Sequence, residues 1–196
     1  MKPTNIHFTR GDATAITVRP AVIAHICNDI GAWGRGFVLA ISNRWIQPEQ
    51  HYRTWAASEG EDFKLGSVRF VEVEPGLWVA NMIAQRDIKI RAGVPPVRYD
   101  ALRLCLESLA AFCRTCGASV HMPRIACGLA GGTWDMVEPL IDESLCGSGI
   151  EVTVYDLPSM ERFTRSPSPQ RGETPKPGAS DFVAQPQVTA VNNTQR

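Results

Sequence analysis

Residues 122–141 read MPRIACGLAGGTWDMVEPLI. An apolar run breaks at three glycines, Gly128, Gly131 and Gly132, and a helical pattern opens near Thr133. Strand, bare loop and helix follow one another in this way where open α/β sheets bind ligands, beyond the carboxyl ends of their strands. Glycine removes the Cβ that would hold a ligand away from backbone N–H groups. The helix that follows adds unpaired N–H donors and the positive end of its dipole. The start of this helix reads in two ways. Thr133 can cap it, or Asp135 with Glu138 three residues later can form a capping box that brings Pro139 closer to the first turn.

A second stretch has the same design. HICNDIGAWGRGFVLAIS (25–42) leaves an apolar strand through Asn28, Asp29, Gly31, Gly34 and Gly36 before another helical pattern. Two such cradles facing each other suit a diphosphate. The competing reading is that the glycines only permit tight strand-to-helix turns.

Outward from these loops, strand signals fall at 6–10, 21–26, 66–73, 77–84, 119–126 and 151–157. VEPG (73–76) fits a hairpin turn, so the third and fourth strands are expected to run antiparallel. Helical patterns cover 36–45, 48–58, 98–116 and 134–147, the clearest being the stripe Leu102, Leu106, Leu109, Cys113. Most strands look apolar on both faces, which predicts a mixed sheet covered by helices on each side. After Leu157 the composition changes. SPSPQRGETPKPG (166–178) and its surroundings lack the apolar surface to offset ordering entropy. We therefore expect a folded domain over 1–158 and a disordered tail over 159–196.

Composition narrows the function. The 196 residues are 44% hydrophobic, and twenty basic residues balance twenty acidic ones. That balance does not point to a nucleic-acid partner or a membrane surface, although backbone donors can still bind an anion without entering the charge count. No run approaches the length of a membrane span, and no signal-like core is seen, so a cytoplasmic monomer is expected. CRTC (113–116) has no second ligand pair at zinc spacing, and Cys113 continues an apolar stripe, so a buried thiol is expected rather than a metal site. GAWGRG lacks the G-x-G-x-x-G order, and the second loop lacks the Lys-Ser/Thr of a P-loop. G-x-S-x-G and H-E-x-x-H are absent. Patterning alone leads to an anion-binding α/β domain.

Gly11-Asp12 after the first strand, HICNDIGAWGRGFVLAI (25–41), MPRIACGLAGGTW (122–134) and VTVYDL (152–157) together resemble the macrodomain family. Within it they are most similar to the branch of the terminal ADP-ribose protein glycohydrolase and of bacterial ADP-ribose-1''-phosphate-processing proteins. The resemblance implies a three-layer α/β/α fold around a largely buried mixed sheet of about six strands, with ADP-ribose or an ADP-ribosylated acceptor as ligand, and neither metal nor cofactor. Asp12, between Gly11 and Ala13, matches the acid that accepts from the adenine amino group. Gly34, Arg35 and Gly36 match the loop on the distal ribose and phosphates. Cys127, Gly128, Leu129, Ala130, Gly131 and Gly132 match the diphosphate loop, and Tyr155, Asp156 and Leu157 the segment near adenosine.

The resemblance also locates a catalytic lysine and an acid, but here Gln85 and Ala130 stand at those places. Gln85 cannot form a Schiff base, and Ala130 cannot move a proton. Lys89 would reach that role only by a register shift. What remains is hydrolysis by an oriented water. Asn28 would hold a ribose hydroxyl, and Asp29 or the ligand's own phosphate would aim water at C1''. The other expected functions are a non-catalytic ADP-ribose reader and an ADP-ribose-1''-phosphate phosphatase. Trp33 and Trp134 are expected to wall the cleft or pack beneath it.

Overall fold

Hydrophobic alternation sorts the sheet into two faces. The computed structural model describes residues 6–58, 60 and 62–157. In β2 (Ala21–Asn28), Ala21 and Ile23 face one side and Val22 and Ala24 the other. β4 (Leu77–Gln85) places Leu77, Val79 and Ile83 with the first set and Ala80, Met82 and Ala84 with the second. Successive strand side chains point to opposite faces, so two buried strands build two cores. α1 (Phe37–Arg44) and α2 (Gln47–Ala57) cover one core with Ile41, Tyr52 and Trp55. α3 (Tyr99–Cys116) and α4 (Trp134–Ser144) cover the other with Leu102, Leu106, Leu109, Cys113, Val137 and Ile141. The result is the expected three-layer α/β/α arrangement.

β1 (Ile6–Arg10), β3 (Val68–Glu74), β5 (Ser119–Pro123) and β6 (Val152–Asp156) complete a six-stranded sheet in the order β1-β6-β5-β2-β4-β3. β3 and β4 form the antiparallel hairpin that VEPG predicts, and every other neighbouring pair is parallel. The carboxyl ends of β4, β2, β5 and β6 therefore share one edge, about 14 Å across at the usual strand spacing.

The structure departs from the sequence reading at β5 and β6 and settles the start of α4. β5 stops at Pro123 rather than Ala126. Proline brings no N–H for a ladder, and Ala126 sits at φ 63°, a left-handed turn no strand accommodates. α4 starts at Trp134 with extended Thr133 at its N-cap position, and Pro139 lies inside the helix, so the Asp135 capping box is not used. Finally, β5 and β6 are apolar only toward α3 and α4. Toward the other face they present Ser119, His121, Thr153 and Tyr155. There His121 Nε2 lies 3.0 Å from Ser119 Oγ and Nδ1 lies 3.0 Å from the Tyr155 hydroxyl.

Cys113 is buried, and burial pushes its thiol up to about 12. No cluster of three or more metal-ligating side chains occurs among the described residues. None of the described helices is long and apolar enough to cross a membrane. The segment 159–196, read as a disordered tail, lies outside the described residues.

Candidate functional site

A cavity of about 950 Å³ opens at the shared carboxyl edge of β4, β2, β5 and β6. That is at the upper end of the range for small-molecule sites. Both glycine loops line it. The first contributes Ala32 to Gly36 and the start of α1, and the second contributes Arg124 to Ala130. The loops face each other closely. A Cβ built on Gly36 would lie 3.6 Å from Leu129 Cδ1 of the opposite loop.

The loops supply free backbone donors. Among the described residues, the N–H groups of Gly128, Leu129 and Ala130 have no protein acceptor, whereas Gly131 N–H donates to Gly128 O and Gly132 N–H to Ala126 O. A Cβ on Gly128 would meet nothing within 4 Å, so this stretch is open to the cavity. α1 has Gly36 (φ 76°) at its N-cap position, with no side chain capping its first turn. Its unpaired donors thus face the same space.

The bareness has a second cause for the remaining glycines. A Cβ on Gly131 would come within 2.9 Å of Pro95 Cβ, and one on Gly132 within 2.9 Å of Ala126 O. Neither residue lines the cavity. Close packing of protein is thus reason enough for glycine at 131 and 132. Gly31 is similar, with a would-be Cβ 2.8 Å from Ala56 Cβ.

Asn28 lines the cavity, but its side chain builds the first loop. Nδ2 donates to Ala32 O (2.6 Å), and Oδ1 accepts from Ala32 N (2.9 Å) and Ile30 N (3.2 Å). The Tyr52 hydroxyl lies 2.5 Å from Asn28 O. Asp29 does not line the cavity. Its Oδ1 accepts from Asp87 N–H at 2.8 Å, tying the first loop to the segment after β4. The water-aiming role given to Asp29 is thus at odds with where its carboxylate points.

The Gly11–Ala13 turn stands beside the cavity rather than in its wall. Gly11 N–H donates to Asp156 O, Asp12 Oδ1 accepts from Thr14 N and Oγ1 (both 2.8 Å), and Ala13 is buried. Gly34, Arg35, Gly36, Cys127, Gly128, Leu129, Ala130, Tyr155, Asp156 and Leu157 all lie in the wall.

Sequence reasoning missed the charged wall residue Arg124, and it considered Lys89 only through a register shift, although Lys89 also lines the cavity. Arg124 makes a two-pronged bond to Asp156 (2.5 and 2.9 Å), with its guanidinium 5.1 Å from the Phe8 ring and 4.8 Å from Trp134. Trp134 thus packs on Arg124 outside the cavity, while Trp33 lies in the wall. Hydrogen bonding to Arg124 holds the Asp156 carboxyl below the usual range. Arg35 and Lys89 also line the cavity, and neither has an ion-pair partner among the described residues. At one end the wall is charge-paired, and elsewhere it is cationic.

The remaining titratable wall groups are quiet at neutral pH. Burial lowers His25 to about 4, so its imidazole is neutral; Nε2 lies 2.6 Å from Asn81 Oδ1, and Asn81 Nδ2 donates to Pro48 O. The Nε2–H tautomer satisfies this chain. Burial raises the Cys27 and Cys127 thiols, so neither is a poised thiolate.

No family model matches the chain. A solved macrodomain from Streptomyces coelicolor shares 54% of its sequence over 77% of this chain and 98% of its own, with a TM-score of 0.69. The chain belongs to the macrodomain family. It is also 30% identical over 162 residues to the zebrafish (Danio rerio) chromodomain-helicase-DNA-binding protein 1-like. That match covers 78% of this macrodomain chain but only 16% of the relative. The bovine (Bos taurus) ADP-ribose glycohydrolase OARD1 is 39% identical over 70 residues, covering 35% of the macrodomain chain and 45% of the relative.

Proposed function

We propose that the cavity binds ADP-ribose and that the protein hydrolyses the bond between its distal ribose and a modified acceptor. The observation that carries this reading is the pair of facing loops, with three consecutive free amides at 128–130 opposite an uncapped helix start. Those donors would hold the diphosphate without a lysine-rich site. The adenosine would lie toward Tyr155, Asp156 and Leu157 with Asp12 at the edge, and the distal ribose toward Asn28, Gln85 and Lys89. The bovine relative's name supports glycohydrolase chemistry.

Among the described wall residues Asp156 is the one carboxylate, and it is committed to Arg124. The step therefore relies on the substrate's own phosphate to orient water. The water oxygen bonds to C1'', the acceptor departs with the bonding electrons, and a phosphate oxygen relays the proton to it. Asn28 and Asp29 contribute by fixing loop shape. A cytoplasmic setting belongs to this reading, since six free thiols fit a reducing compartment.

A second reading, an ADP-ribose reader without turnover, draws on Gln85 and Ala130 at the places where the resemblance puts a lysine and an acid. Incubation with ADP-ribosylated protein, followed by mass spectrometry, separates the two. Released ADP-ribose supports hydrolysis. Binding by calorimetry without release supports the reader, and no binding overturns both.

A further inference from the structure

The segment after β4 is a small hairpin set against the cavity mouth. Arg86 N–H donates to Pro96 O and Arg98 N–H to Ala84 O at its base, and Arg91 and Val94 exchange N–H···O bonds at its tip. Ala92 and Gly93 between them both have positive φ, as a tight two-residue turn requires. Asp87 is its hub. Its N–H donates to Asp29, its carbonyl accepts from Gln85 Nε2, and its carboxylate accepts from Ile88 N–H and from the Arg91 guanidinium. A loop tied this way is a platform rather than a tether.

The platform displays apolar side chains. Ile88, Ile90 and Val94 are about half exposed or more, at 49%, 67% and 52%, and Leu129 across the mouth reaches 65%. Around them stand Arg86, Lys89 and Arg91, with Asp29 3.9 Å from Arg86 and Asp87 paired to Arg91, a net positive cluster on a chain whose total charge is zero. Ile88 and Lys89 also line the cavity, so the surface runs unbroken from the mouth to the outside. Exposed apolar patches rimmed by charge mark interaction sites.

We propose that the 86–97 hairpin is the acceptor-docking surface, and that its partner is an acidic polypeptide segment carrying the ADP-ribosyl group. The inference rests on the ADP-ribose reading of the cavity. Carboxylates beside the modified residue pair with Arg86, Lys89 and Arg91, while apolar side chains cover Ile88, Ile90 and Val94. Polypeptide is favoured over nucleic acid because residues 86–98 carry no aromatic ring on which a base could stack.

The test compares the full chain with an Arg86→Glu/Ile90→Ser variant, two positions outside the cavity wall. Calorimetry measures free ADP-ribose. Fluorescence anisotropy measures peptides of one ADP-ribosyl linkage flanked by Asp and Glu or by Lys, beside a short ADP-ribosylated DNA strand. Expected is at least tenfold tighter binding of the acidic peptide by the wild type. The variant should abolish that ratio with its ADP-ribose Kd unchanged within twofold. Equal affinity for both peptides, a ratio the variant preserves, or a wild-type preference for the DNA strand would each overturn the docking assignment. A wild type that binds both peptides weakly but free ADP-ribose well sinks the docking surface and spares the cavity reading. No binding of ADP-ribose sinks both. Should the double variant lose its native melting transition, Arg86→Gln alone carries the same comparison.

Discussion

The two glycine loops look interchangeable in sequence but are held open by different means. In the first, one side chain does the shaping: Asn28 bridges Ile30 and Ala32, and Tyr52 pins it from below. In the second, backbone bonds within 126–132 and close packing on Pro95 set the curve. A loop shaped by a side chain fails when that side chain is cut. A loop shaped by its own backbone fails when a glycine gains a Cβ. Within each loop, moreover, one glycine class faces the cavity (Gly34, Gly36, Gly128) and another faces protein (Gly31, Gly131, Gly132).

The largest expected effect breaks the second loop. Gly132→Val drives a branched side chain into Ala126 O and should cost about 3 kcal/mol or more by urea denaturation. Stability within experimental error of wild type would show that the loop yields and the packing argument is wrong.

Acid should weaken the floor of the first loop. His25 lies under Trp33 and Phe37, its folded pKa is about 4, and its unfolded value is 6.5. The unfolded chain takes the proton first. The contribution is complete above pH 6.5 and is lost as pH falls toward 4, by about 3 kcal/mol at 1.36 kcal/mol per pH unit. A His25→Gln variant should show a flatter stability–pH curve across this window. Parallel curves for the two proteins would contradict it.

Asn28→Ala should cost about 2 kcal/mol by leaving loop donors unpaired, and should weaken ADP-ribose binding as the first cradle collapses. Retained affinity would detach Asn28 from the cradle.

Gly128→Ala sharpens the contrast with Gly132. No atom lies within 4 Å of the new methyl, so stability should stay within about 0.5 kcal/mol while affinity for ADP-ribose drops about tenfold. Unchanged affinity would take the diphosphate away from this loop.

The smallest effect is Asp29→Ala. It should lower stability by about 1 kcal/mol and speed hydrogen exchange at Asp87, with ADP-ribose affinity preserved. A protected Asp87 amide in that variant would refute the positioning role.

By itself the sequence determined the layers and the places where they open. Alternation in β2 and β4, the stripe on α3 and the glycine runs are local properties, and local sterics enforce them whatever the chain meets later. Tertiary structure alone decided which glycines face the cavity, because a Cβ on Gly131 would meet Pro95 whereas one on Gly128 would meet nothing within 4 Å. It also reassigned Asp29, whose carboxylate bonds an amide 58 residues away, and brought Arg124 to Asp156 and Lys89 to the wall. Those contacts depend on where distant segments meet, and no window of sequence around either partner contains that distance.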